Sequence, residues 1–187
     1  MLSRALGRAV LALLGWRVEG EVPNLPRLVA VVAPHTCTMD LLVGLAVVLA
    51  LGVRVSWLGK HTIFRGPLGA LLRRIGGIAV DRRAPEGAVA EAVEMFRRAD
   101  RLYLALAVEG TRRRVERWKT GFHRIAVGAG VPVVPVWLDY RSRRVGIGPP
   151  LVPRGELAAD LARLAAFFQA RMARHPERFS PPRIEPP

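Results

Sequence analysis

Short unbroken apolar runs alternate along the chain with longer stretches in which apolar positions recur every three or four residues. Residues 28–33 (LVAVVA) form a continuous apolar run, the pattern of a strand buried on both faces. Residues 40–51 are rich in Leu, Ala and Val and long enough for a helix, which Gly52 ends. Residues 53–58 read as a second strand. Pro67 suits the first turn of a helix that runs to about Ile75 and stops at Gly76-Gly77. Residues 78–80 read as a short strand, and 86–99 as a helix with Val89, Ala92, Val93 and Phe96 at helical spacing. A strand over 102–107 and a short helix over 121–129, ended by Gly130, come next. Residues 131–138 (VPVVPVWL) are apolar and β-branched, with Pro132 and Pro135 limiting the ladder bonds that strand can make. Residues 145–147 suit a short edge strand. Leu157, Leu161, Leu164, Ala165, Phe168 and Met172 line one face of a C-terminal helix, and the proline-rich tail over 176–187 reads as irregular.

Strands that alternate with helices predict an α/β fold with a mostly parallel sheet flanked by helices. The 187 residues form one domain, 1–187, with no repeat and no internal linker. Three of the predicted strands run into conspicuous polar groups. The first meets Pro34-His35, the strand at 78–80 meets Asp81-Arg82-Arg83, and the strand at 102–107 meets Val108-Glu109-Gly110-Thr111-Arg112. Open parallel sheets bind ligands outside the carboxyl ends of their strands. If these strands are parallel neighbours, the three clusters meet at one edge, which is a site by topology alone.

The first 20 residues form a separate amphipathic segment. Leu2, Leu6, Ala9, Val10, Leu13 and Leu14 share a helical face, with Arg4 and Arg8 on the other side. This suits a helix lying in a membrane interface, and equally a helix packed on the protein's own core. No small-x-small cleavage site follows the apolar run, which argues against a signal peptide. The longest uncharged stretches, 41–53 and 125–138, fall short of the roughly 20 apolar residues of a spanning helix.

Charge narrows the partners. Lys and Arg number 29 against 15 Asp and Glu, a formal charge of +14, and only Lys60 and Lys119 are lysines. Such an excess favours nucleic acid, an anionic membrane surface or phosphorylated substrates. Nucleic acid fits poorly: there is no helix-turn-helix or RNA-recognition signature and no aromatic-rich basic strand for stacking. A catalytically idle lipid-binding protein remains a third reading. The single Cys37 excludes an internal disulfide framework and suits a reducing compartment. The four histidines are scattered, so no metal site is expected.

His35 and Asp40 carry the candidate chemistry. On one continuous helix their spacing would not place them on a common face. With His35 in the loop and the helix starting near Thr38 or Met39, Asp40 can fold back and accept a hydrogen bond from one ring nitrogen. That leaves the other nitrogen as a base. No Gly-x-Ser-x-Gly is present, so the base would act on a substrate hydroxyl. Cys37, His61 and His123 read as bystanders, with His123 a half-exposed helix residue; Phe122 and Ile125 read as core.

Pro34-His35-Thr36-Cys37-Thr38-Met39-Asp40 resembles motif I, His-x-x-x-x-Asp, of the glycerolipid acyltransferases, which include the lysophosphatidate (1-acylglycerol-3-phosphate) acyltransferases. Gly59-Lys60, Phe64, Pro67, Gly69 and the run from Gly77 to Arg82 are similar to the family's second block. Val108-Glu109-Gly110-Thr111-Arg112 resembles the third, and residues 131–136 the fourth. Four blocks in order span about 28–140. The sequence departs at Val108, where Pro or Phe is usual, and at Arg113, where Ser is usual.

The resemblance implies acyl transfer from a coenzyme A or acyl-carrier-protein thioester to a lipid hydroxyl, with no bound cofactor and no covalent enzyme intermediate. It implies His35 as general base and Asp40 as its orienting partner. Glu109, Gly110, Thr111 and Arg112 would form the acceptor site, Arg112 on phosphate, with Arg82 a second contact and Lys60 and Lys119 weaker ones. It further implies a lysolipid acceptor, an acyl thioester donor and a cytoplasmic protein peripheral to the inner face of the cell membrane. A non-phosphoglyceride lipid acceptor is the alternative.

Overall fold

A computed structural model describes residues 2–80 and 85–182. Helix α1 (Leu2–Leu14) and strand β1 (Arg17–Glu19) lead into β2 (Arg27–Ala33), α2 (Met39–Leu51), β3 (Ser56–Lys60), α3 (Gly66–Arg74) and β4 (Gly77–Val80). Then come α4 (Pro85–Arg98), β5 (Leu102–Ala107), α5 (Gly121–Ala129), β6 (Val133–Asp139), β7 (Arg144–Ile147) and α6 (Leu157–Ala165). The strands form one sheet in the order β1-β7-β6-β2-β5-β3-β4. Strands β2 to β6 are parallel, and only the β6–β7 pair is antiparallel. This is the α/β architecture that the alternation predicts.

Connection handedness sorts the helices. The steps β2–α2–β3 and β3–α3–β4 move the same way across the sheet, so right-handed crossovers put α2 and α3 on one face. The chain then steps back, β4–α4–β5 and β5–α5–β6, which puts α4 and α5 on the other. The core agrees. Val43, Ala46 and Val47 of α2 pack with Leu11 of α1, while Ala92 and Phe96 of α4 pack with Phe122 and Ile125 of α5 and Leu161 and Leu164 of α6. Strand β2 feeds both layers, because successive side chains alternate: Val29, Val31 and Ala33 go to the α4–α5–α6 face and Val32 to the other.

Helix α1 packs on the protein's own core, as one of its two sequence readings expects, through part of its apolar stripe. Its face towards α2 is Gly7, Val10, Leu11 and Leu14, and a Cβ on Gly7 would lie 2.4 Å from the Ala50 backbone nitrogen. Only glycine permits that approach. Leu6 and Leu13 of the expected stripe remain outside, Leu13 at 88% exposure.

Some boundaries differ. Strand β7 is not an edge, because β1, too short to carry a period, pairs beyond it. Strand β3 begins at Ser56, three residues later than expected. Helix α6 stops at Ala165, and Met172 belongs to a separate turn, Ala170–Met172. The tail contains a helical turn, Pro176–Arg178, and is tied down to Ser180, which is wholly buried. Ser180 Oγ accepts from the Val115 N–H at 2.9 Å, and its carbonyl accepts from Trp118 Nε1 at 2.8 Å.

Candidate active site

Two central strands set the site. The β2–β5 register pairs Val32 with Ala107, so the chain leaves both strands at one level and the loops 34–38 and 108–112 lie side by side. Strand β6 flanks β2 on the other side, pairing Ala33 with Trp137, and delivers Tyr140 to the same edge.

The loop after β2 curls around the first turn of α2. Asp40 is buried, with only 2% of its side chain exposed, yet it is surrounded by donors. Its Oδ2 accepts from the Thr36 N–H at 2.8 Å and the Cys37 N–H at 3.0 Å, and lies 3.1 Å from His35 Nδ1. Its Oδ1 accepts from the Tyr140 hydroxyl at 2.6 Å and from Cys37 Sγ at 3.1 Å. Burial alone would raise the Asp40 pKa. The hydrogen bonds from His35, Tyr140 and Cys37 outweigh it and hold the carboxyl below its ordinary range. An ionised Asp40 accepts only, so His35 must present a proton on Nδ1, and in the neutral ring the lone pair is then on Nε2. The His35 side chain is 24% exposed, so the pair is buried at the carboxylate and open at the imidazole.

Glu109 does not stand open to an acceptor. It is 1% exposed, and its Oε2 accepts from the His35 backbone N–H at 2.7 Å. Its Oε1 is buried and lacks a well-formed hydrogen bond. Burial pushes its carboxyl up to about 8; the His35 and Ser180 backbone groups oppose this, and the Asp40 charge adds to it. The raised pKa favours the neutral carboxyl at neutral pH, and its Oε2 fixes the backbone of His35 from behind.

Gly110 turns the next loop. Its N–H donates to the Ala107 carbonyl at 2.9 Å, and its φ of 66° is a left-handed conformation that favours glycine. A side chain there would also meet Lys119 Cγ at 3.3 Å. Lys119 is thereby brought beside Gly110, its N–H bonded to the Val108 carbonyl at 2.8 Å. Thr111 is half-buried, and Arg112, Arg113 and Arg114 are exposed. Lys60, exposed at the end of β3, sits at the same edge one strand beyond β5. Strand β4 is not a neighbour of β5, because β3 intervenes. Arg82 lies outside the described residues.

Two readings change and one residue is added. Cys37 is no bystander: its Sγ touches both Asp40 and, at 3.1 Å, the Tyr140 hydroxyl. Burial raises its thiol pKa, which argues against a nucleophilic thiolate. His123 is buried rather than half-exposed, its Nε2 2.9 Å from Asp160 Oδ2. Tyr140 was not selected from sequence, although Asp139-Tyr140 are the polar residues that end the strand expected at 131–138, the same signal that selected His35 and Glu109. No group of three or more His, Cys, Asp or Glu side chains that could hold a metal occurs among the described residues.

The model of the Acyltransferase family matches residues 17–139. No curated protein matches the sequence. Among solved structures, the fold is similar to that of the 1-acyl-sn-glycerophosphate (LPA) acyltransferase PlsC from Thermotoga maritima, with a TM-score of 0.62 and 18% identity. That likeness covers 88% of this chain and 76% of the PlsC chain. With a family model spanning both strand-end loops and most of the sheet, the chain belongs to the acyltransferase family.

Proposed function

We propose that the protein transfers a fatty acyl group from an acyl-CoA or acyl-carrier-protein thioester to the hydroxyl of a lysophospholipid such as 1-acylglycerol-3-phosphate. The observation that carries this reading is the half-open His35 ring, with Nδ1 committed to a buried, ionised Asp40. His35 Nε2 takes the acceptor's hydroxyl proton as its oxygen attacks the thioester carbonyl. The tetrahedral oxyanion then collapses, the C–S bond breaks, and the departing thiolate takes the proton from the imidazolium. Arg112 and Lys119, exposed on the loop beside Glu109, supply cations for an acceptor phosphate. Lys60 lies at the edge as a further contact.

The acceptor's lipid nature accords with the α1–α2–α3 face. Leu6 and Leu13 of α1, Met39, Leu41 and Leu42 at the start of α2, and Leu68 and Leu71 of α3 are all exposed. Arg4, Arg8, Arg65, Arg73 and Arg74 accompany them in the same elements and are also exposed. Apolar side chains amid arginines suit an anionic membrane surface, here the inner face of the cell membrane. None of the described helices is long and apolar enough to cross a membrane.

A mass-spectrometric screen of acyl acceptors, with purified protein and one long-chain acyl thioester, tests the reading. Acylated lysophospholipid should form. Arg112→Ala should raise KM for a phosphorylated acceptor while leaving KM for the thioester nearly unchanged, because the bidentate guanidinium contact is lost. An acceptor without phosphate as the best substrate would transfer the reading to another lipid alcohol. No thioester consumption with any acceptor would overturn it.

A further inference from the structure

Tyr140 follows the last residue of β6 and stands one residue beyond the stretch that the family model matches. Every part of it is engaged. Its N–H donates to the Met172 carbonyl at 2.8 Å, which pins the backbone to the turn after α6. The Trp16 ring meets the phenol ring edge-on, with centroids 4.9 Å apart and an interplanar angle of 89°. The Arg174 guanidinium lies 5.9 Å from the ring centroid. The hydroxyl, aimed by these contacts, reaches Asp40 Oδ1 at 2.6 Å.

That last contact decides how Asp40 sits. Rotation of a carboxylate about its terminal torsion is soft, because the well is broad. Thr36, Cys37 and His35 all engage Oδ2, so on their own they hold one oxygen and leave the plane free to turn about it. Tyr140 holds the other oxygen. Cys37 Sγ also reaches Oδ1, but as a thiol it is a weak donor. We infer that Tyr140 is a positioning residue for the acyl transfer: its hydroxyl fixes the plane of the Asp40 carboxylate so that Oδ2 stays on His35 Nδ1 and the base remains on Nε2. The inference rests on the acyl-transfer reading for its kinetic consequence, but not for its structural one.

Tyr140→Phe is the variant of choice, because the ring keeps its contacts with Trp16 and Arg174 and only the hydroxyl goes. Two readouts separate the roles. The first is kinetic: kcat should fall about tenfold, equivalent to about 1.4 kcal/mol, with both KM values and the melting temperature nearly unchanged. In an Asp40→Asn background the same change should cost nothing further, since Tyr140 acts only through Asp40. The second needs no substrate. The imidazole ¹⁵N shifts of His35, assigned by their loss in His35→Gln, should report the Nδ1–H tautomer in the wild-type protein. In Tyr140→Phe they should report a mixture with Nε2–H. The charged and titratable groups that meet this cluster among the described residues are Asp40, Cys37 and Glu109 from the site loops, Tyr140 just after β6, Arg174 over the Tyr140 ring, and His175 and Arg178 on Thr36. All remain in the variant except the phenol.

An unchanged tautomer in Tyr140→Phe would overturn the inference, as would an equal loss of kcat with and without Asp40. If no acceptor is ever acylated but the tautomer still shifts, the proposed function fails while the positioning role of Tyr140 stands.

Discussion

Among the described residues two His–Asp pairs of nearly equal length stand on opposite faces of the sheet. His35 Nδ1 lies 3.1 Å from Asp40 Oδ2, and His123 Nε2 lies 2.9 Å from Asp160 Oδ2. Both aspartates titrate below their ordinary range, because hydrogen bonds to the ionised form outweigh burial. The difference lies in what surrounds the ring. The His35 side chain is 24% exposed, in a loop at the carboxyl ends of the strands. The His123 side chain is 8% exposed, inside α5, and it lines a pocket of about 10 Å³, room for about one water. Asp160 also accepts from the Arg154 N–H at 2.8 Å and meets Arg163, so this pair fastens α5 to α6. A histidine on a carboxylate is thus not in itself a catalytic unit. Access to the second nitrogen separates a base from a clasp.

The largest expected effect breaks the two pairs in different currencies. His35→Ala should lower acyl transfer by about 10²–10⁴-fold with little change in melting temperature, the usual worth of a positioned general base. His123→Ala should cost about 2 kcal/mol of folding stability, because it empties packed space in α5 and takes one hydrogen-bond partner from the buried Asp160, while specific activity of the folded protein stays near wild type. Urea unfolding and steady-state rates on both variants check this. A His123 variant that folds normally but turns over a hundredfold more slowly would erase the distinction.

What the sequence discloses follows the same division. His35 and Asp40 were legible because they are close in the chain and at the end of an unbroken apolar run. Glu109 was legible as a site residue for the same reason, but its role was not. Nothing local says that its carboxyl turns inward to the His35 backbone, since that requires the β2–β5 register. Tyr140 meets Asp40 from 100 residues away, and His123 meets Asp160 from a different helix. Contacts of that range follow from packing and not from periodicity. The fold class was legible because short unbroken apolar runs, the mark of strands buried on both faces, alternate with longer stretches that suit helices. The short β1 carried no period at all, and β7 therefore read as an edge.

Carboxylates near the two pairs should also respond to pH with opposite signs. The Glu109 pKa is about 8 in the folded protein against 4.5 for an ordinary Glu, mainly through burial. Between these values the native state binds more protons than the unfolded chain, so stability is full below about 4.5 and is lost as pH rises through about 8. Asp160 is lowered, so its contribution is present above its ordinary value of 3.8 and is lost as pH falls further. Glu109→Gln should match the wild type near pH 5 and exceed it at pH 9, by on the order of 4 kcal/mol at most. Asp160→Asn should be the less stable protein at pH 7 and lose less on acidification. Denaturant midpoints at pH 5, 7 and 9 measure both. A wild type whose stability is flat from pH 5 to 9, with Glu109→Gln parallel to it, would show Glu109 ionised throughout. Glu109→Ala should in addition slow turnover through kcat, because the His35 N–H loses its acceptor; an effect confined to acceptor KM would return Glu109 to the substrate's side of the site.

The smallest effect contrasts whole faces. The face that carries Asp40 also exposes Leu6 and Leu13 on α1, and the face that carries His123 exposes Val127 on α5. If the first rests on lipid, Leu6→Ser with Leu13→Ser should weaken binding to anionic vesicles by about thirtyfold, at roughly 1 kcal/mol for each half-immersed leucine. Val127→Ser should leave binding unchanged. Folding stability should hold in both, because all three side chains face solvent. The opposite face of α1 gives the control for packing: Gly7→Ala places a methyl against the Ala50 backbone and should loosen α1 from α2, lowering the melting temperature. Binding should also fall as salt rises, since arginines near the surface contribute through a screened field. Sedimentation with neutral and anionic vesicles reads each arm. Equal binding of the Leu6/Leu13 variant and the Val127 variant would mean that the exposed leucines are ordinary surface, and that the two faces differ in their histidines alone.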